Sequence, residues 1–273
     1  MSMAEGNTIT FIGAGNMATA LIEGLLNSKA YAADNITATD VRADALAALQ
    51  QRLHINTLAD NATAIASARC VVIAVKPPHV EGVLQGIARH LRAPTLVVSI
   101  AAGVRIQSLA AALPPATPII RAMPNTPAMV RAGATAFACS ASVSEADIGL
   151  ARALFESVGI CVQVDEPDLD AVTALSGSGP AYVFRFIEAL IEGAVAIGLQ
   201  ADIAAALALQ TVRGAADLLQ ASGKLPQVLR AEVSSPGGTT LAGLEALQLH
   251  GFEKAVHAAL VAAQQRSKEL GKP

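Results

Sequence analysis

The chain has 273 residues, 53% of them hydrophobic, yet it lacks Trp and is only 3% aromatic, so its core has to be aliphatic and finely divided. A formal net charge of -3 with no long basic stripe argues against a nucleic-acid partner. Three scattered cysteines, Cys70, Cys139 and Cys161, form no CxxC pair; they read as small buried hydrophobes in a reducing compartment and give no metal site. No secretion signal opens the sequence, and no apolar run of membrane-spanning length escapes a Gly, Pro or charge, so the expectation is a soluble cytoplasmic protein.

Over residues 1–165, short β-branched runs alternate with amphipathic segments, the pattern of a parallel sheet with helices on its faces. The runs are TITFIG, NITATD, CVVIAV, TLVVSI, TPIIRAM, ATAFAC and ICVQVD. Between them, apolar spacing predicts helices at Met17 to Leu26, Ala43 to Leu53, Val80 to Leu91 and Glu145 to Ser157. From Asp168 the β-branched runs cease. Helical periodicity covers Asp168 to Leu175, Pro180 to Gly198, Asp202 to Ser222, Pro226 to Val233 and Leu241 to Leu270. The boundary falls near Val164 to Pro167, which predicts an α/β domain over 1–165 and an all-α domain over 166–273.

In ITFIGAGNMATALIEGLL a strand runs into Gly13, Gly15 and Ala18 in GxGxxA order, and then into a helix. Gly13 permits the tight turn, Gly15 lets a pyrophosphate approach the backbone, and Ala18 allows close helix-to-strand packing. In this setting the spacing predicts a Rossmann-type domain that binds a dinucleotide at the helix N-terminus. The second strand ends in ATDVR, with Asp40 where an acid binds the adenosine ribose. Asp40 favours the free 2′-hydroxyl of NAD(H); Arg42 suits the 2′-phosphate of NADP(H), or is a solvated charge at a helix start.

Further along, Lys76 in AVKPPHV follows a buried run at the sheet edge where open α/β folds bind ligands, with a surface charge as the alternative. Ala101, Ala102 and Gly103 in SIAAGV leave room for a nicotinamide ribose. Asn125 in RAMPNTPAMV suits a carboxamide or ribose, and equally a turn. His54 and His79 lack a carboxylate nearby in sequence and read as exposed helix-start residues.

Helix chemistry stops at two places in the second half. In DAVTALSGSGPAYVF, Gly177 and Gly179 admit a ligand or a crossing helix, and Pro180 suits a first helical turn. In VSSPGGTTLAGL, Pro236 ends one helix, Gly237 and Gly238 permit φ > 0, and Thr239 and Thr240 begin the next. Unpaired N–H groups beside hydroxyls make an anion cradle that fits a small carboxylate.

GAGNMATA, AVKPP, SIAAGV, RAMPNTPA, DAVTALSGSGPAY and VSSPGGTT occur in this order, and with them the sequence resembles the pyrroline-5-carboxylate reductases over essentially its whole length. The resemblance implies reduction of 1-pyrroline-5-carboxylate to L-proline with NADPH or NADH, the last step of proline synthesis. It implies a Rossmann domain followed by a helical domain that builds an intertwined homodimer, with decamers in some members. By the same resemblance Gly13, Ala14, Gly15, Asn16, Met17, Asn61, Ala74, Val75, Lys76, Pro77 and Ala102 line the cofactor. Ser235, Gly238, Thr239 and Thr240 then hold the substrate, its carboxylate on backbone amides and its ring nitrogen near the Thr240 hydroxyl, which orients the ring and helps with the proton. Glu166 falls where members carry an acid near the substrate.

The sequence departs from the family at Asp40, where many relatives have a small or hydroxyl residue that spares the 2′-phosphate. It departs also at Glu232, where some relatives place an Asn near the cofactor; that role is not carried over. A β-hydroxyacid dehydrogenase resembles this layout but carries a catalytic Lys on its long central helix, and Pro180 to Gly198 offers Arg185, Glu188 and Glu192 but no Lys. A non-catalytic dinucleotide sensor would leave SPGGTT unexplained.

Overall fold

Each of the β-branched runs forms a strand in the computed structural model, which describes residues 8–271. The first part holds β1 (Ile9–Ile12), α1 (Asn16–Asn27), β2 (Ile36–Thr39), α2 (Ala43–Leu53), β3 (Asn56–Leu58), α3 (Asn61–Ala64), β4 (Cys70–Ile73), α4 (Pro77–Ile87), β5 (Leu96–Ser99) and α5 (Ile106–Ala111). It continues through β6 (Ile119–Met123), β7 (Gly133–Cys139), α6 (Glu145–Glu156) and β8 (Gly159–Gln163). The strands make one sheet in the order β3-β2-β1-β4-β5-β6-β7-β8. The order reverses between β1 and β4, the switch point at which such sheets open a ligand crevice beyond their C-terminal ends.

The strands at the centre are buried on both faces, which is why they read as unbroken apolar runs. Period-2 alternation divides them between two cores. Ile9, Phe11, Val72, Leu96 and Val98 pack with Leu21, Ile22 and Leu25 of α1 and with Leu154 and Phe155 of α6. Ile12, Val71, Ile73 and Val97 pack on the other face with Val80, Leu84 and Ile87 of α4 and Leu109 of α5. Each such buried side chain contributes about 1.5–3 kcal/mol.

The sheet is not parallel throughout, as the sequence pattern had suggested. β7 runs antiparallel to β6, with Arg121 opposite Ala138, while β8 is again parallel to β7. The link from β6 to β7 holds only the short 3-10 turn Thr126–Val130, and a parallel return needs a crossover of about a dozen residues or more. Three short elements also lie outside the expected set: β3, α3 and α5 have three, four and six residues, too few for a readable period.

A 3-10 turn (Glu166–Asp168), α7 (Leu169–Val172) and a π-helical turn (Thr173–Gly177) follow. Leu169 is fully buried against Ala136 and Ala138 of β7, so this segment belongs to the sheet. By compactness the chain divides after Ser178, later than the boundary expected near Val164 to Pro167; one unit runs to Ser178 and takes in the chain from Ala262 onward, and the other is Gly179–Val261.

The second unit is helical: α8 (Gly179–Ala196), α9 (Ala201–Ser222), α10 (Pro226–Glu232), α11 (Thr239–Leu249) and the start of α12 (Phe252–Leu270). The helical stretch expected over Leu241 to Leu270 is divided into α11 and α12 at Gly251, whose φ is +76°. α8, α10 and α11 bury no residue at all, and α9 buries only Ala204 and Ala208. Phe184, Leu207 and Leu209 stay more than half exposed within the chain. Apolar surface on this scale marks an oligomer interface.

Candidate functional site

At the switch point the glycine turn follows β1 directly. Gly13 has φ +107° and donates its N–H to the Thr39 carbonyl at 2.8 Å; a Cβ there would stand 2.6 Å from the Ala74 carbonyl oxygen, so only glycine fits. A Cβ on Gly15 would meet nothing within 4 Å. Gly15 caps α1, whose first-turn amides have no acceptor within the helix. Bare backbone, open space and the positive end of a helix macrodipole fit a pyrophosphate.

Asp40 and Arg42, which point to opposite cofactors in the sequence, are bonded to each other. The Asp40 carboxylate accepts the Ala14 N–H at 2.8 Å, the Arg42 N–H at 2.9 Å and the Arg42 Nε–H at 3.1 Å. Burial alone would raise the Asp40 carboxyl, but the hydrogen bonds from Arg42 and Ala14 outweigh it and hold the pKa below the ordinary carboxylate value. Arg42 is therefore a partner of Asp40 and also, as expected, an exposed charge at the start of α2.

Beyond these residues lies a cleft of ≈ 840 Å³, lined by Gly13, Gly15, Asp40, Arg42, Asn61, Ala74, Val75, Lys76 and His79 among others. Asn61 is fixed by a 2.6 Å hydrogen bond from the Thr39 hydroxyl to its Oδ1. Lys76 caps α4, with Pro77 in the first turn, and is exposed at the cleft wall. Ala14, Asn16, Met17 and Pro77 adjoin these residues in the chain but do not line the cleft, and Ala102 is exposed in the loop after β5. His54 is exposed but ends α2 in the left-handed conformation, where a helix start was expected; His79 is exposed in the first turn of α4, as expected, and also stands in the cleft wall.

Two expected ligands are engaged elsewhere. Asn125 is buried; its Nδ2 donates to the Ser176 carbonyl at 3.0 Å and its Oδ1 accepts the Ala134 N–H at 2.8 Å, so it ties the end of β6 to β7 and to the π turn. Glu166 Oε1 accepts the Ile106 N–H at 2.7 Å, capping α5, and meets Arg121 Nη1 at 3.1 Å. Arg121, only 5% exposed, is a buried cation that the sequence reading passed over, although an Arg inside the apolar run TPIIRAM was its signal.

The hydroxyl-rich stretch forms the expected turn. Gly237 has φ +72°, Gly238 donates to the Ser235 carbonyl at 3.0 Å, and Gly238 caps α11 with extended backbone. A Cβ on Gly238 would lie 2.5 Å from Ser235 Oγ. Thr239 and Thr240 occupy the exposed first turn of α11, where the amides are free of intrahelical acceptors. Burial pushes the Cys70 thiol up to about 12 and the partly buried Cys161 thiol up to about 11, so both are protonated near neutral pH. No cluster of metal-ligating side chains occurs among the described residues, and no helix there is long and apolar enough to cross a membrane.

A family described as pyrroline-5-carboxylate reductase dimerisation matches residues 166–270, and one described as NADP oxidoreductase coenzyme F420-dependent matches 8–103. The pyrroline-5-carboxylate reductase of Pseudomonas aeruginosa is 44% identical over 263 residues, 96% of each chain. The chain belongs to the pyrroline-5-carboxylate reductase family. Its likeness to another member, from Methanosarcina acetivorans, is 40% identity over 98% of this chain and 99% of that one. Among solved structures, the pyrroline-5-carboxylate reductase of Coxiella burnetii superposes with a TM-score of 0.94 at 37% identity, covering 98% of this chain and 100% of that one. The pyrroline carboxylate reductase of Plasmodium falciparum, solved with NADP bound, gives 0.87 at 32% identity over 98% and 100%. The pyrroline-5-carboxylate reductase fold thus extends through both units, and the uncovered helices fall in the part matched to dimerisation.

Proposed function

We propose that the chain reduces 1-pyrroline-5-carboxylate to L-proline with NADPH or NADH, as the last step of proline synthesis in the cytoplasm. The observation that carries this reading is the Ser235 to Thr240 turn, an amide cradle that a dinucleotide-binding protein without a small anionic substrate has no use for.

In this reading the glycine turn and the α1 amides hold the pyrophosphate, Asp40 and Arg42 meet the adenosine ribose, and Asn61, Ala74, Val75 and Lys76 of the cleft wall carry the next part of the cofactor, with Pro77 and Ala102, outside that wall, meeting its remainder. The reduced cofactor supplies a hydride to the imine carbon. The amides at Gly238 and Thr239 hold the substrate carboxylate beside Ser235, and the Thr240 hydroxyl hydrogen-bonds the ring nitrogen, keeps it oriented and assists its protonation. A protonated imine is electrophilic enough that positioning is the protein's main task, which agrees with a site that has no His–carboxylate pair. Glu166 holds the start of α5 and Asn125 the end of β6 through the partners just described.

The uncovered helices of the second unit fit a homodimer, which in turn is the unit from which a decamer would be built. Loss of NADPH or NADH absorbance on adding 1-pyrroline-5-carboxylate, with β-hydroxyisobutyrate and buffer as controls, tests the reaction. No loss with the imine, or an equal loss with the hydroxyacid, overturns it.

A further inference from the structure

Ser267 is the one buried residue of α12 among those described, 4% exposed, and a serine is an odd choice for the inside of a helix end. Its hydroxyl donates to Asp170 Oδ1 at 2.6 Å. Asp170 is itself buried and faces Arg121 Nη2 at 3.9 Å, and the other arm of the same guanidinium bonds Glu166 at 3.1 Å. Glu166 in turn accepts the Ile106 N–H, the first amide of α5. A chain of hydrogen bonds and ion pairs therefore runs from the last turn of α12 to the start of α5, its Asp170–Arg121 link an ion pair at 3.9 Å.

The loop between β5 and α5 is gripped from its other side by the same turn. Gly103, with φ +79°, packs against Leu270, where a Cβ would come within 3.4 Å. Gly271 donates its N–H to the Ser267 carbonyl and lies so close that a Cβ on it would stand 3.0 Å from the Gly103 oxygen and 3.2 Å from Arg105 Nε. β5 is the strand next to β4, whose end lines the cleft, so this loop leaves the sheet at the same C-terminal edge, one strand further from the adenosine side.

We propose that Ser267 and the turn to Gly271 are positioning residues that fix the loop after β5 for the nicotinamide half of the cofactor. The proposal rests on the reading of the cleft as a dinucleotide site. It separates the two halves of the ligand: the adenosine end meets β1, β2 and α3, whereas the nicotinamide end meets the loop against which Leu270 and Gly271 pack.

Calorimetric titration of NADPH, NADH and adenosine 5′-diphosphate into wild type, Ser267→Ala, Ser267→Thr and Gly271→Ala tests this. Ser267→Ala is expected to weaken whichever dinucleotide the wild type binds by about 3- to 10-fold, the scale of one ordinary hydrogen bond, with adenosine 5′-diphosphate unchanged. Ser267→Thr keeps the hydroxyl and restores binding. Gly271→Ala sits at the helix end, where the fold is not at stake, and weakens the dinucleotide in the same selective way by pushing on Gly103. Equal weakening of both ligands, or unchanged dinucleotide binding in both Ala variants, overturns the positioning role. A wild type that binds neither dinucleotide overturns the reading of the cleft itself, before any variant is compared.

Discussion

The Asp40 carboxylate and the Ala14 backbone N–H are joined at 2.8 Å, so the acid at the end of β2 and the glycine turn after β1 form one hydrogen-bonded unit. Arg42 closes that unit from outside through Nε and Nη2, and a 2′-phosphate that meets Arg42 has to lie beside the Asp40 carboxylate. Asp40→Ser frees Arg42 and removes a like charge. The expected outcome is a rise of about 10-fold or more in the NADPH-to-NADH ratio of kcat/KM. Steady-state kinetics with both cofactors check it, and an unchanged ratio removes Asp40 from cofactor choice.

Gly13 and Gly15 are expected to fail in different ways when changed to Ala. Gly13→Ala forces a Cβ against the Ala74 carbonyl at a φ of +107°, and destabilises the fold by about 2 kcal/mol or more in urea unfolding. Gly15→Ala points its methyl into open space. It leaves the unfolding midpoint unmoved and raises KM for the cofactor.

Thr240→Ala is expected to lower kcat by about 10-fold or more, since a positioned proton donor contributes at least that much. Ser235→Ala acts on KM for the imine instead. Gly238→Ala displaces the Ser235 side chain, because its Cβ would stand 2.5 Å from Oγ, and so reproduces the Ser235→Ala phenotype. Kinetics of the three variants that do not separate in this way remove the turn from substrate binding.

Asp147 joins Arg69 at 2.6 Å and closes the capping box of α6 with Ser144. Burial would raise its carboxyl, and the Ser144 and Arg69 hydrogen bonds outweigh that and lower the pKa. The unfolded chain then binds a proton at about 3.9, above the folded value, so this contribution is present above that pH and is lost as pH falls through the folded pKa. Unfolding free energy measured from pH 6 down to pH 3 (roughly the range that brackets an Asp titration) is expected to fall less steeply in Asp147→Asn. The same variant is less stable near neutrality by about 1–3 kcal/mol, because Arg69 loses its charged partner.

Leu209 is 59% exposed on α9 and belongs to the uncovered apolar surface. Leu209→Glu is expected to shift the assembly toward monomer in light scattering and to lower the helical signal in circular dichroism, since the second unit has too little core of its own. A wild type that runs as a stable folded monomer removes the interface.

Most of the sheet was legible because its strands are buried on both faces, leaving apolar runs such as CVVI and LVVS between helices with clear spacing. The antiparallel turn at β7 was not, because strand direction depends on the length of the connection and not on the strand's own composition. Among site residues, the glycine turn and the hydroxyl turn were legible because glycine has few other reasons to stand in those places. The roles of Asn125 and Glu166 were not. Each depends on a partner 45 to 60 positions away, such as Arg121 or Ile106 for Glu166, and no local pattern announces such a pairing.

The cofactor-binding unit is not contiguous: it needs the chain up to Ser178 and again from Ala262. A clone that stops at residue 178 would leave Asp170 without the Ser267 hydroxyl and Gly103 without its cover. On the ribosome the consequence is the same in time, for the first unit to begin folding is completed only when the final turn has left the exit tunnel.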